Sequence, residues 1–231
     1  MGEDEIRIPA PFAFKGERSY INAATMMEHL LPALRRKFPG ADAPSSQLVI
    51  NSLKFVRELA GHGVFHITPG AADIADDAVM SMTVTLDDAP LTISLRAADG
   101  AHAPDREPGG REKCMIDGLA IADGLGGSAT ICGVGSAEDL FMAVVEANKQ
   151  IVERHSLRNG DKPDIRFGYL LNYPMKLNQG LAGSEIPVTV RNLGAREAGG
   201  RQHVLNRVSF SASGLNASTT ICFNTYFRSA T

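Results

Sequence analysis

Two stretches of the chain carry apolar residues at helical spacing, and each is followed by runs that read as extended. In the first, Leu30, Leu31 and Leu34 follow Asn22-Ala-Ala-Thr25-Met-Met-Glu28. Thr25 and Glu28 have the hydroxyl-to-carboxylate spacing of a capping box, and Pro39-Gly40 closes the pattern after about Phe38. Pro32 lies inside it and lacks a backbone donor, which predicts a kink or a late start. In the second, Leu140, Val144, Ala147 and Ile151 recur three or four apart, so one face of a helix from Leu140 to about Arg154 is expected to be buried. Ser136 and Asp139 form its capping box, and Asn159-Gly160 stops it.

The extended runs after the first helix are Leu48–Leu59, Val64–Thr68, Val79–Leu86 and Leu91–Ala97, with Asp87-Asp88 as a hairpin turn. Those around the second are Ala129–Val134, Ile165–Tyr173, Ile186–Arg191, Val204–Ser211 and Ala217–Phe227, with Ser213-Gly214 as the last turn. Residues 6–21 alternate loosely, and Arg18–Ile21 is expected to close a first strand. Residues 98–112 have almost nothing to bury and read as a mobile connection. The expected domains are therefore residues 1–98, a linker over 99–128, and residues 129–231. One order of elements occurs twice, with Leu59-Ala-Gly61 echoed at Leu181-Ala-Gly183 before a return strand. A duplicated unit follows from that order.

Composition narrows the classes. A 44% hydrophobic and 21% charged chain of 231 residues is ordinary for a globular protein. No apolar run approaches the ~20 residues of a membrane helix, and the acidic start, Met-Gly-Glu-Asp-Glu, is not a secretory signal. A net charge of −3, with no basic run longer than Arg35-Arg36-Lys37, argues against nucleic acid. Cys114, Cys132 and Cys222 show no metal spacing and read as reduced thiols of a cytoplasmic protein. His62 and His66 share a face but lack a third ligand, so no metal is expected. Gly-x-Ser-x-Gly is absent, and Gly124-Leu-Gly-Gly127 lacks a Walker lysine, so no nucleotide cofactor is expected either.

A helix followed by antiparallel strands resembles the hot-dog fold of acyl-thioester enzymes. Tyr20-Ile-Asn-Ala-Ala-Thr-Met-Met-Glu-His-Leu30 resembles the Gly-His-Val-Asn-Asn-Ala-x-Tyr stretch of the 4-hydroxybenzoyl-CoA thioesterase family. Asn172-Tyr-Pro-Met-Lys-Leu-Asn-Gln-Gly180 resembles the superfamily's Tyr-x-x-Pro-x-Arg-x-Gly-Asp strand. Two copies imply an α+β double hot-dog, each repeat a long helix wrapped by an antiparallel sheet. Departures are plain: Ser19-Tyr20 replaces Gly-His, Glu17 is off register, and His66-Ile-Thr-Pro-Gly70 supplies the dehydratase His and Gly but is followed by no proline five residues later and sits in the wrong strand.

The resemblance implies a substrate carbonyl against a helix N-terminus, where free N–H groups and the dipole polarise a thioester. Tyr20, Asn22, Glu138 and Tyr173 are the catalytic candidates, and Thr25, Gly133, Val134, Gly135, Ser136 and Asn172 the substrate-binding ones. Each has a structural role beside the chemical one. Thr25 and Ser136 serve as caps, the glycines shape a turn, Glu138 is an ordinary first-turn acid, and Tyr20 and Tyr173 fill a core. The expected activity is thioesterase, dehydratase or acyltransferase chemistry on an acyl-CoA or acyl carrier protein, in lipid or polyketide-type metabolism. The alternative is a non-catalytic hot-dog protein that binds an acyl chain or a partner. A homo-oligomer is compatible with both.

Overall fold

Strict alternation dictates the strands. Over residues 80–86, Met80, Met82, Val84 and Leu86 are buried while Ser81, Thr83 and Thr85 between them stay partly exposed. In a pleated strand that pattern leaves one dry face and one polar face. The computed structural model describes residues 5–16, 20–38, 40, 43, 45–99, 104–109, 111–158, 163–177, 181, 183–212 and 214–227. Two compact units emerge, residues 1–110 with 174–178 and residues 111–173 with 179–231.

The first unit carries β1 (Ile6–Ala10), β2 (Phe14–Lys15), α1 (Ala23–Lys37), β3 (Leu48–Phe55), β4 (Gly63–Pro69), β5 (Met80–Leu86), β6 (Ala89–Ala97) and β7 (Arg106–Glu107). Its main strands run in the order β1-β4-β6-β5-β3, antiparallel throughout. Met26, Met27, Leu30, Leu31 and Leu34 of α1 are fully buried, as are Ile50, Phe65, Met82 and Ile93 from the strands. These side chains are the unit's core. Asp87 and Asp88 turn the β5–β6 hairpin with φ of 47° and 67°, the left-handed pair that matches strand twist. The Asp87 carboxylate accepts from Ser46 Oγ at 2.6 Å and from the Gln47 N–H at 2.8 Å, which holds its pKa below the ordinary value.

The second unit carries a 3-10 turn (Arg111–Met115), β8 (Ile116–Ile121), β9 (Gly127–Ile131), α2 (Ala137–Arg158), β10 (Pro163–Met175), β11 (Ile186–Ala198), β12 (Arg201–Ala212) and β13 (Leu215–Phe227). The order is β10-β13-β12-β11-β9-β8, again antiparallel. Leu140, Phe141, Val144, Ala147 and Ile151 bury one face of α2, and Val204, Val208, Phe210 and Ile221 line the facing strands. Contacts of α2 reach β8, β9, β11 and β12. A Cβ at Gly127 would sit 2.4 Å from the Ala120 carbonyl oxygen and 3.3 Å from Ile151, so only glycine fits there.

Several expectations change. Helix α1 starts at Ala23 and is capped by Asn22, whose Oδ1 accepts from the Thr25 N–H at 2.8 Å. Thr25 is not the cap, and its hydroxyl bonds the same Asn22 oxygen at 3.1 Å. The Asn22 amide oxygen takes the Thr25 N–H that the Glu28 carboxylate of a capping box would have taken. Pro32 neither ends nor delays the helix. Helix α2 begins at Ala137 rather than Leu140 and runs to Arg158. The Ser136 cap holds, with Ser136 Oγ accepting from the Asp139 N–H at 3.1 Å and Asp139 Oδ2 accepting from the Gly135 N–H at 3.0 Å.

Part of the stretch expected as a linker forms β7, the 3-10 turn and β8. Strand β8 is an edge strand with little buried surface, so no apolar alternation announced it. Of the described residues at the first expected strand, Tyr20 and Ile21, Ile21 bridges to Leu59, while β1 lies earlier. Pro39, Asn159, Gly160, Gly180 and Ser213 fall outside the described residues.

Candidate functional site

Each unit offers a helix N-terminus preceded by a short non-helical segment. At α1, the Asn22 side chain takes the Thr25 N–H and the Asn22 carbonyl takes the Met26 N–H at 3.1 Å. The cap therefore leaves the Ala23 and Ala24 N–H groups outside the helical ladder, at the positive end of the dipole. Tyr20 and Asn22 sit beside this end and are half-buried, and Thr25 is buried in the first turn. The Asn22 oxygen is committed to the cap. Its amide N–H pair is the part free to meet a ligand.

At α2, Gly133 has φ of 68°, and a Cβ there would meet nothing within 4 Å, so the glycine is required by backbone conformation. Val134 is buried in the core and Ser136 is the cap. Gly135 donates to Asp139, which removes its N–H from the donors available to a ligand. Glu138, between cap and box partner, is only 7% exposed, an unusual burial for a first-turn carboxylate.

Tyr173 is fully buried, with its ring 5.4 Å from Phe141 and 5.5 Å from Phe210 between centroids. Phe141 lies one turn beyond Glu138, so β10 passes the first turns of α2. The Tyr173 hydroxyl meets no partner, and burial pushes the phenol well above its ordinary pKa. It stays protonated, so it cannot serve as a base. Asn172, in contrast, is exposed and adopts φ of 56°, a left-handed conformation that asparagine tolerates. A buried hydroxyl without a partner carries a desolvation cost, so Tyr173→Phe is expected to stabilise the protein by about 1 kcal/mol. Urea unfolding at fixed pH measures it, and a destabilised variant would contradict the geometry.

Three polar groupings were not anticipated. Glu5 Oε1 and His66 Nδ1 lie 3.0 Å apart, and Glu5 also meets Arg7 at 2.9 Å; hydrogen bonds from Arg7 and His66 lower the Glu5 pKa. Lys15 reaches Glu28 at 3.1 Å and Glu107 at 3.3 Å; burial opposes its charge, but the two carboxylates outweigh it and raise its pKa. His29 packs edge-on against Phe12 at 5.0 Å, and burial lowers its ring below the ordinary value.

The third grouping is a chain of amides in the second unit. Asn192 Nδ2 donates to Asn206 Oδ1 at 2.8 Å, and Asn206 Nδ2 donates to Asn148 Oδ1 at 2.7 Å. Asn192 Nδ2 also approaches the carbonyl oxygens of Leu205 and Gly194 at 3.3 and 3.4 Å, which fixes the direction of the whole chain. Their signal was a polar residue at an inward position, Asn148 on the helix and Asn206 in β12. No group of three or more His, Cys, Asp or Glu is poised for a metal among the described residues, and no described helix is long and apolar enough to cross a membrane.

No family model and no curated protein matches this chain. Solved structures do. The dehydratase domain of RzxB from Pseudomonas fluorescens matches with a TM-score of 0.54 at 12% identity, over 96% of this chain and 94% of that one. The dehydratase domain from the CurJ module of the curacin polyketide synthase gives 0.51 at 10%, over 97% and 91%. A Lactobacillus plantarum protein described as an oleoyl thioesterase gives 0.50 at 8%, over 96% and 95%. At these identities the likeness is one of fold. The chain shares the fold of these proteins, a hot-dog fold.

Proposed function

We propose that the chain is a tandem double hot-dog, and that it acts on an acyl thioester of coenzyme A or an acyl carrier protein by thioesterase- or dehydratase-type chemistry. The observation that carries the reading is the construction of the second helix start. A buried carboxylate, Glu138, stands in the first turn of α2, beside a Gly133–Ser136 turn that leads into positively polarised backbone donors. A thioester carbonyl placed there is polarised by the helix end. Glu138 is then positioned to move the proton that either reaction requires, taking it from water in hydrolysis or from the carbon next to the carbonyl in dehydration. Likeness of the whole fold to dehydratase domains and to a thioesterase supports the same substrate class.

Incubation with saturated, 3-hydroxy, branched and aromatic acyl-CoA and acyl-N-acetylcysteamine esters tests the reading. Release of free thiol marks hydrolysis, and loss of water from 3-hydroxyacyl esters marks dehydration. Binding without either product would assign the chain to the non-catalytic alternative. Neither binding nor turnover across the panel would remove the thioester reading.

A further inference from the structure

The outward face of the second unit's sheet is basic, although the whole chain has a net charge of −3. Strand registers place the arginines. Arg191 of β11 lies directly opposite Arg207 of β12, and the same row continues to Thr220 of β13 and Leu171 of β10. Beyond the intervening Gly194–Leu205 row, the same face holds Arg196, His203, Asn224 and Arg166. Arg201 lies on the same side of β12 and, with Arg166, flanks the Tyr226 ring at 5.4 and 5.1 Å. Arg191, Arg196, Arg201 and Arg207 are all exposed.

The acids near this face are few. Asp164 is engaged by Arg166 at 2.8 Å, and Asp117 sits at the far edge on β8 with its carboxylate on the Gly118 N–H. Glu197 pairs across to Gln202, on the other side of the hairpin. Two arginines about 5 Å apart across a strand pair repel each other, and no ion pair among the described residues offsets that for Arg191 and Arg207. An anionic partner would relieve that repulsion.

Exposed leucines decide what kind of partner. Leu171, in the Arg191–Arg207 row, is 37% exposed, and Leu193, in the β11 bulge beside Arg191, is 41% exposed. Apolar anchors inside an arginine-rich surface suit an interface with protein, where aliphatic contacts sit within a charged rim. A phosphate backbone has no use for the leucines, and the phosphates of a free coenzyme would engage only one arginine row. We propose that this face docks an acidic, amphipathic helical surface of a partner protein. On the thioester reading, on which this identification of the partner rests, that protein is the carrier that delivers the acyl group.

The test uses the full chain and an unacylated acyl carrier protein, followed by fluorescence anisotropy. Arg191→Glu/Arg207→Glu is expected to weaken binding by at least about tenfold, while Lys54→Glu, on the first unit, leaves it unchanged. Wild-type binding should fall steeply with salt. Circular dichroism checks the fold of each variant, and turnover of a small acyl-N-acetylcysteamine ester should be the same in all. Carrier binding that is absent, or unaffected by the double reversal, overturns the docking face. So does equal competition by coenzyme A alone, tighter binding of a single-stranded RNA, or a wild-type dimer that the reversal dissociates. Arginine-dependent carrier binding without turnover of any ester keeps the docking face and removes the thioester reading.

Discussion

Asn206→Ala is expected to destabilise the protein by about 3 kcal/mol, the range for orphaning a buried polar group and leaving a small cavity. Asn148 and Asn206 are both fully buried, and Asn206 is the middle link of their chain with Asn192. Its removal leaves Asn148 Oδ1 without a donor in a core of valine, isoleucine and phenylalanine. Asn148 Nδ2 already meets no partner, so the variant would bury a whole amide unsatisfied. Asn148→Leu/Asn206→Leu takes out both amides at similar volume and is expected to cost less than the sum of the single leucine changes, by about 1 to 2 kcal/mol. Chemical unfolding of the wild type, both single variants and the double variant closes the cycle. Additive losses would show that the two amides do not depend on each other.

Those same residues show what the sequence could and could not reveal. Periodicity placed the two helices and most of the strands, because burial of one face is what sets the period. Asn206 lies inward between Val204 and Val208, and Asn148 one turn from Val144, yet periodicity singled out neither. What it lacked was the pairing, since a polar residue at a core position becomes intelligible only when its partner on another element is known. Asn22 illustrates a nearer limit. A hydroxyl with a carboxylate three residues on is a good capping signal, but an amide three residues earlier competes for the same N–H and wins. Glu28 was then released to pair with Lys15, a contact that no spacing rule could supply. Basic side chains on β11 and β12 are scattered in sequence, and only strand register gathers them onto one face.

At the candidate site the local argument was sound for Ser136 and incomplete for its neighbours. The hydroxyl-to-carboxylate spacing gave the α2 cap correctly, which fixes Asp139 as a structural acid. Burial of Tyr173 followed from its place in an apolar strand, whereas the lack of a partner for its hydroxyl depended on how Phe141 and Phe210 close around it.

Glu138→Gln is expected to lower kcat by about a thousandfold on whichever ester the chain turns over, within the 10²–10⁴ range for loss of a general acid or base. The change keeps the shape and hydrogen-bonding reach of the side chain and removes only its capacity to carry a proton. KM should move little, because binding rests on the backbone donors and the surrounding apolar residues. Asp139→Asn is the matched control one position along. Its carboxylate accepts the Gly135 N–H, so that variant should lose about 1 kcal/mol of stability and keep most of its turnover. The two neighbours therefore predict opposite signatures, chemistry without stability for Glu138 and stability without chemistry for Asp139. Steady-state kinetics and thermal unfolding of both variants resolve them. Wild-type turnover in Glu138→Gln would take the proton-transfer role away from α2, and the search would pass to the α1 end, where Tyr20 and the Asn22 amide stand beside the first-turn donors.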